Sequence, residues 1–282
     1  MRGGDASHFI MPFILRRHWP AFVLALLVGL FLVRPALVAR FWHDIPFSAP
    51  SGIRIADELL YFARVREVLD GHSTIGNPYL AEHKSKPPSP VFLGEWLTAG
   101  VSRLTGADVV AAGAALDFLL PTLATLLTYA CFLAVTGGRL LAFTGTALVF
   151  FGLFPSDFGR SVSPQLNFLF WLSEFLLLWR LMVGPPPRRP RLLCALAAVN
   201  FGALFYLYTY YWTFYLAFFL LAAVLFSYRG FRREVARTAG IAVGGLVLAI
   251  PYFLMMMRAI ALPEYWETLR RVGLIETHFP SG

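Results

Sequence analysis

Residues 19–39, WPAFVLALLVGLFLVRPALVA, decide the fold. With Arg34 as its only charge, this run is long enough as a helix, at about 1.5 Å per residue, to cross a hydrocarbon core of about 30 Å. A cleaved signal peptide has a shorter apolar core, so the basic pair Arg16-Arg17 and the run behind it read as an uncleaved first span. Further apolar runs place spans near 108–136, 139–155, 166–183, 192–208, 212–228 and 238–257. None has the alternating pattern of a membrane barrel. The expected fold is all-α: a polytopic transmembrane bundle of about seven helices.

Composition agrees. The 282 residues are 58% hydrophobic and 16% aromatic but only 14% charged, and the mean hydropathy is +0.65. The net charge of +8 comes from short clusters between apolar runs, not from a basic domain, which argues against nucleic acid as a partner. The two cysteines, Cys131 and Cys194, each fall inside an expected span, so neither a disulfide framework nor a zinc site is indicated.

Loop charge sets the expected orientation. Segments 1–18, 137–139, 184–191 and 229–237 carry eleven arginines in 38 positions, while 40–107, 156–165, 209–211 and 258–282 spread eleven basic residues over 106. Short arginine-rich loops resist translocation, so the dense side is expected in the cytoplasm of a plasma-membrane protein, with the N-terminus, 1–18, inside. The module 19–257 then carries its long first loop, 40–107, outside. The segment 258–282 is expected to be an outer tail at which the chain stops early. No internal repeat of the transporter type is present.

Within the first loop, IADELLYFARVREVLDG at 55–71 puts Ile55, Leu59, Phe62 and Leu69 near one helical face and Asp57, Tyr61 and Arg64 on another, which predicts an amphipathic surface helix. A strap through Asn77-Pro78 and Lys86-Pro87-Pro88 follows, then a second surface helix over Ser89–Leu104 with Phe92, Trp96 and Leu97 facing lipid or bundle.

Five groups of residues carry candidate chemistry. Asp57 and Glu58 stand at a helix start close to the membrane; a carboxylate there can take a proton from a hydroxyl, or simply favour the helix dipole. His83, Lys84 and Lys86 on the strap can neutralise a phosphate leaving group, or meet lipid headgroups. In PSDFGRSVSPQLN at 155–167, Arg160 can grip a phosphate, and Asp157 with Asp57 can hold a divalent cation, Mg or Mn; the bland reading is a turn aspartate and an interfacial arginine. Asp117 and Glu174 lie inside apolar helices, where ionisable groups mark the bundle interior. Tyr206, Tyr208, Tyr210, Tyr211, Trp212 and Tyr215 form an aromatic cluster that reads as a membrane belt or as a sugar or lipid-phosphate site.

Taken together, a first span, DELLYFARVREVLDG at 57–71, KPPSPVFLGEWLTAGVSRLTG at 86–106 and a second span resemble the GT-C glycosyltransferase superfamily. That superfamily includes protein O-mannosyltransferases, lipid A aminoarabinose transferases and the oligosaccharyltransferase catalytic subunit. The resemblance runs over roughly residues 15–260, with its specific part in about 50 residues of the first loop. It implies inverting sugar transfer from a polyprenyl-phosphate donor to an acceptor hydroxyl on the extracytoplasmic face. Asp57 would be the general base, with Glu58 beside it as the other choice. The donor phosphate would lie near His83, Lys84, Lys86 or Arg160, and Tyr208 and Tyr211 would contribute to substrate binding. No cofactor is required by this reading, and the acceptor is left open. The competing class is a non-catalytic membrane module that binds lipid or serves transport.

Overall fold

The computed structural model describes residues 7–46, 56–72, 91–153, 158–262 and 265–266, and among them it is all-helical. The ten helices are α1 (Ser7–Trp42), α2 (Ala56–Leu69), α3 (Leu93–Thr105), α4 (Val109–Thr136), α5 (Arg139–Leu148), α6 (Leu166–Met182), α7 (Pro190–Phe205), α8 (Thr209–Tyr228), α9 (Arg232–Leu248) and α10 (Ile250–Ile260). Wide π-type turns extend α5 over Val149–Leu153 and lead into α6 over Ser161–Gln165.

Among the described residues each of the seven expected spans coincides for most of its length with helix, but they differ in reach. Arg16–Trp42 of α1, Val109–Thr136 of α4 and Thr209–Tyr228 of α8 are long and apolar enough to cross a membrane. The pair α9 and α10, bent by 50°, would make a fourth crossing if it is one span. The bend falls where Pro251 opens α10: proline lacks the N–H that would continue the ladder, and its ring crowds the carbonyl four residues back. The same chemistry explains the break inside α1 at His18, two residues before Pro20, where φ is −121° and ψ is 16°.

Caps fix the ends of α4. The Asp108 carboxylate accepts from the backbone N–H groups of Val110 and Ala111 at 2.9 and 3.0 Å. Gly137, at φ 66°, supplies the left-handed C-terminal turn and donates its N–H to the Leu133 carbonyl.

The surface carries wide apolar faces, as helices able to span a membrane would present. Leu220, Leu221 and Val224 on α8 are 64%, 69% and 68% exposed, and Leu26, Leu27 and Leu30 on α1 face outward with them. Apolar faces of that extent are unfavourable in water and neutral in acyl chains. Inside, Phe201, Phe205, Tyr215, Phe219, Ile241 and Tyr252 join α7, α8, α9 and α10 into the largest core. Trp212 stacks on Phe205 with ring centres 4.6 Å apart. A second core of Leu24, Val28, Leu32, Ala124, Phe150 and Phe158 joins α1 to α4.

Small residues let the helices approach. A Cβ on Gly29 would stand 2.3 Å from the Thr122 hydroxyl and 2.7 Å from the Phe118 carbonyl oxygen of α4; one on Gly245 would stand 2.3 Å from the Phe201 ring of α7. Because the obstacle at Gly29 includes backbone, Gly29→Leu should force α1 away from α4, at about 1–3 kcal/mol. The expected outcome is a lower melting temperature and loss of monodispersity in detergent, read by a thermal-shift assay and size-exclusion chromatography.

Candidate functional site

The first loop is not a detached flap. Helices α2 and α3 pack on each other and on α4 at one end of the bundle, through Phe62, Val65, Val68, Ala99 and Val109, with Val162 from the turn before α6. Gly113 of α4 makes the seat, since a Cβ there would lie 2.6 Å from the Phe62 ring.

The buried stripe of α2 differs from the one expected. It runs Glu58, Phe62, Val65 and Val68, at 5%, 8%, 0% and 7% exposure, while Leu59 is half exposed. Arg64 decides this. Its Nε lies 2.8 Å from Glu95 Oε1 of α3, with both side chains largely buried, and its Nη2 donates to the Val91 carbonyl. On α3 the buried face is the small and polar one, Gly94, Glu95, Thr98, Ala99 and Ser102. Trp96 and Leu97 point outward. Arg103 then closes the far end by donating from Nη2 to the Val68 carbonyl at 2.9 Å, where a helix C-terminus leaves acceptors unfilled.

Two further loops meet this pair of helices. The backbone N–H groups of Phe92 and Leu93, at the start of α3, donate to the Tyr206 carbonyl at 3.1 and 3.0 Å, tying the first loop to the α7–α8 turn. Gly94 abuts Val162 in the turn before α6. Three segments distant in sequence, all expected on one side of the membrane, thus converge. At their junction the Arg160 guanidinium lies 5.9 Å from the centre of the Tyr61 ring. The Tyr208 hydroxyl is within electrostatic reach of both Tyr61 and Arg160. Tyr211 packs its ring 5.7 Å from that of Tyr208.

The candidate residues therefore sort as follows. Arg160, Tyr208 and Tyr211 come together. Glu58 lies on the same helix as Tyr61, one turn earlier, and is buried. Asp57 stands in the first turn of α2, although its side chain is outside the described residues. His83, Lys84, Lys86 and Asp157 also lie outside them. Among the described residues no three His, Cys, Asp or Glu side chains cluster as a metal site.

The tyrosine cluster divides. Tyr215 is core, donating to the Trp171 carbonyl at 2.6 Å, and Tyr206 donates to the Leu248 carbonyl at 2.8 Å. Tyr208 and Tyr210 remain exposed.

The two acids within apolar helices, Asp117 and Glu174, are held by amides of neighbouring segments. Gln165 Nε2 donates to Asp117 Oδ1 at 3.1 Å and to the Phe158 carbonyl at 2.8 Å, and Asn200 Nδ2 donates to Glu174 Oε2 at 3.0 Å. Gln165 is wholly buried and braces the turn that carries Arg160. Tyr61, Arg64, Glu95 and Gln165 were not singled out together in the sequence. The one available signal was Glu95, an acid amid the apolar run VFLGEWL.

Burial holds the Glu95 carboxyl above the ordinary glutamate value of 4.5, with Arg64 pulling it back only in part. A carboxyl that binds its proton more tightly when folded contributes stability below pH 4.5, and that contribution is lost as pH rises through the elevated folded value. Melting curves between pH 4 and 8 should therefore show Glu95→Gln with a weaker downward slope than the unaltered protein. Arg64→Met should extend the sloping window upward, because the opposing positive charge is gone. A steeper fall for Glu95→Gln would contradict this assignment.

Comparison with protein-family models, with curated proteins and with solved structures finds no match to the chain, so the site is read from its own chemistry.

Proposed function

We propose that the chain is a membrane glycosyltransferase that moves a sugar from a polyprenyl-phosphate donor to an acceptor hydroxyl. The observation that carries this reading is the Arg160 guanidinium over the Tyr61 ring of α2, one turn from the buried Glu58, with the Tyr208–Tyr211 ring pair on the adjoining turn. A guanidinium against an aromatic ring, at one end of an apolar bundle, suits a ligand that is part phosphate, part sugar and part lipid.

In this reading the seven apolar segments all cross the membrane, the shorter ones with local thinning of the bilayer. The arginine-rich loops stay in the cytoplasm, and α2 and α3 lie on the extracytoplasmic face of the plasma membrane. The Asp57 carboxylate takes the proton of the acceptor hydroxyl as its oxygen attacks the anomeric carbon. The bond from that carbon to the phosphate oxygen breaks from the opposite side, so the configuration inverts. The polyprenyl phosphate leaves with the electron pair, its charge met by Arg160, with His83, Lys84 and Lys86 of the strap able to add to it.

Tyr208 and Tyr211 form the wall against which the sugar rests. The burial of Glu58 favours a positioning role for it, next to Asp57 as base. A divalent cation, Mg or Mn, would be held by Asp57 and Asp157, and no step above depends on one.

The test is transfer of radiolabelled sugar from a polyprenyl-phosphate donor in membranes containing the full-length protein. Asp57→Asn should lower the rate by about 100-fold or more, as expected for loss of a general base. Glu58→Gln should have a smaller effect. Undiminished transfer by the Asp57→Asn protein would overturn the catalytic assignment. Donor binding with no transfer to protein, lipid or glycan acceptors would favour a non-catalytic lipid-binding module.

A further inference from the structure

The opposite end of the bundle holds a second feature, independent of the glycosyl-transfer reading. Arg17, beside the break in α1, and Arg139, at the first position of α5, are 122 residues apart in sequence. The Arg139 Nη1 nevertheless donates to the Arg17 carbonyl at 3.4 Å, and both residues line one cavity of about 540 Å³. Its remaining wall includes Pro20, Ala21, Leu141, Phe143 and Tyr129. The Tyr129 hydroxyl is anchored by His18 Nδ1 at 2.8 Å. Both guanidinium groups lie within electrostatic reach of that His18–Tyr129 pair.

Two like charges gathered on one cavity repel each other, and among the described residues no carboxylate lines it. The cavity between α7 and α9 provides a contrast: its Arg237 lies 3.7 Å from Glu234. Around Arg17 and Arg139, among the described residues, no carboxylate pairs with either arginine. Both arginines are exposed, and the apolar wall starts directly beside them.

We propose that this cavity is a binding site for an anionic phospholipid, whose headgroup phosphate sits between Arg17 and Arg139 and whose first acyl segment lies along Pro20, Ala21, Leu141 and Phe143. The guanidinium forks supply charge-assisted hydrogen bonds to phosphate oxygens, and Arg139 stands at a helix N-terminus, where the dipole adds to the attraction. The apolar wall selects a lipid over a soluble phosphate. A bound lipid would bridge α1 to the α4–α5 turn and so stabilise the crossing at which those helices meet.

The experiment is a titration of the full-length protein, delipidated in neutral detergent, with phosphatidylglycerol, phosphatidylcholine or glycerol phosphate. Binding is followed by native mass spectrometry and by the melting temperature. Phosphatidylglycerol should bind at one preferred site and raise the melting temperature, phosphatidylcholine and glycerol phosphate should not, and Arg17→Gln or Arg139→Gln should each weaken binding about fivefold. Arg229→Gln, an exposed arginine on another loop, should leave it unchanged.

Equal binding of phosphatidylcholine, equal stabilisation by glycerol phosphate, or equal weakening by Arg229→Gln would each overturn the proposal. Should a glutamine variant fail to fold, Arg17→Lys and Arg139→Lys decide. Weaker preference for phosphatidylglycerol upholds the site, because lysine lacks the two-pronged geometry, and unchanged preference overturns it.

Discussion

The α2–α3 end of the bundle depends on the contact between Arg64 and Glu95. Two charged groups taken out of water are costly, and they are tolerated when they neutralise one another with their remaining polar atoms engaged. Here the guanidinium also reaches the Val91 carbonyl. The pair thereby fixes both the distance and the rotation of α2 relative to α3. Those helices are only 14 and 13 residues long, and helices so short are marginal by themselves. Once α2 is turned so that Arg64 meets Glu95, Phe62 falls into the seat at Gly113 and Tyr61 turns toward Arg160. The placement of the acidic pair at the start of α2 follows from that single rotation.

Elsewhere the structure obeys the rule of a nonpolar solvent. Helix association in lipid draws little from hiding apolar surface, so it rests on close packing and on hydrogen bonds between helices. The glycines at 29 and 245 provide the first, where α1 meets α4 and α7 meets α9. Gln165 to Asp117 and Asn200 to Glu174 provide the second. The ends of the bundle then divide the polar work. Carboxylates, tyrosines and Arg160 gather at the α2–α3 end, while Arg17, Arg139, Arg233 and Arg237 gather at the other.

Much of this was legible in the sequence because apolar run length and helix caps are local signals. Asp108 and Gly137 bracket α4 at nearly its expected limits, and each apolar run became helix. Crossing was less legible than helicity. By length and composition three helices qualify, or four with the bent pair, because Pro251 divides the last run and α6 and α7 stop at 17 and 16 residues. The rotation of α2 departs from the one its apolar periodicity predicts, which gives Leu59 an inward place. A polar contact 31 positions away, from Arg64 to Glu95, set the rotation instead, and no periodicity within α2 encodes it. On α3, size mattered more than hydrophobicity: Gly94 and Ala99 face inward because the Val162 turn comes too close for Trp96. The joining of Arg160, Tyr61 and Tyr208 likewise rests on tertiary contacts between three loops.

The claim that everything mechanistic rests on is that the α2 end of the bundle faces the extracytoplasmic side. It is tested most directly by placing a single cysteine at position 57 in a background lacking Cys131 and Cys194, then treating intact cells with a membrane-impermeant thiol reagent. Labelling from outside without permeabilisation is the expected result. Labelling that requires opened cells would put the acidic pair in the cytoplasm and contradict the proposed transfer on the outer face.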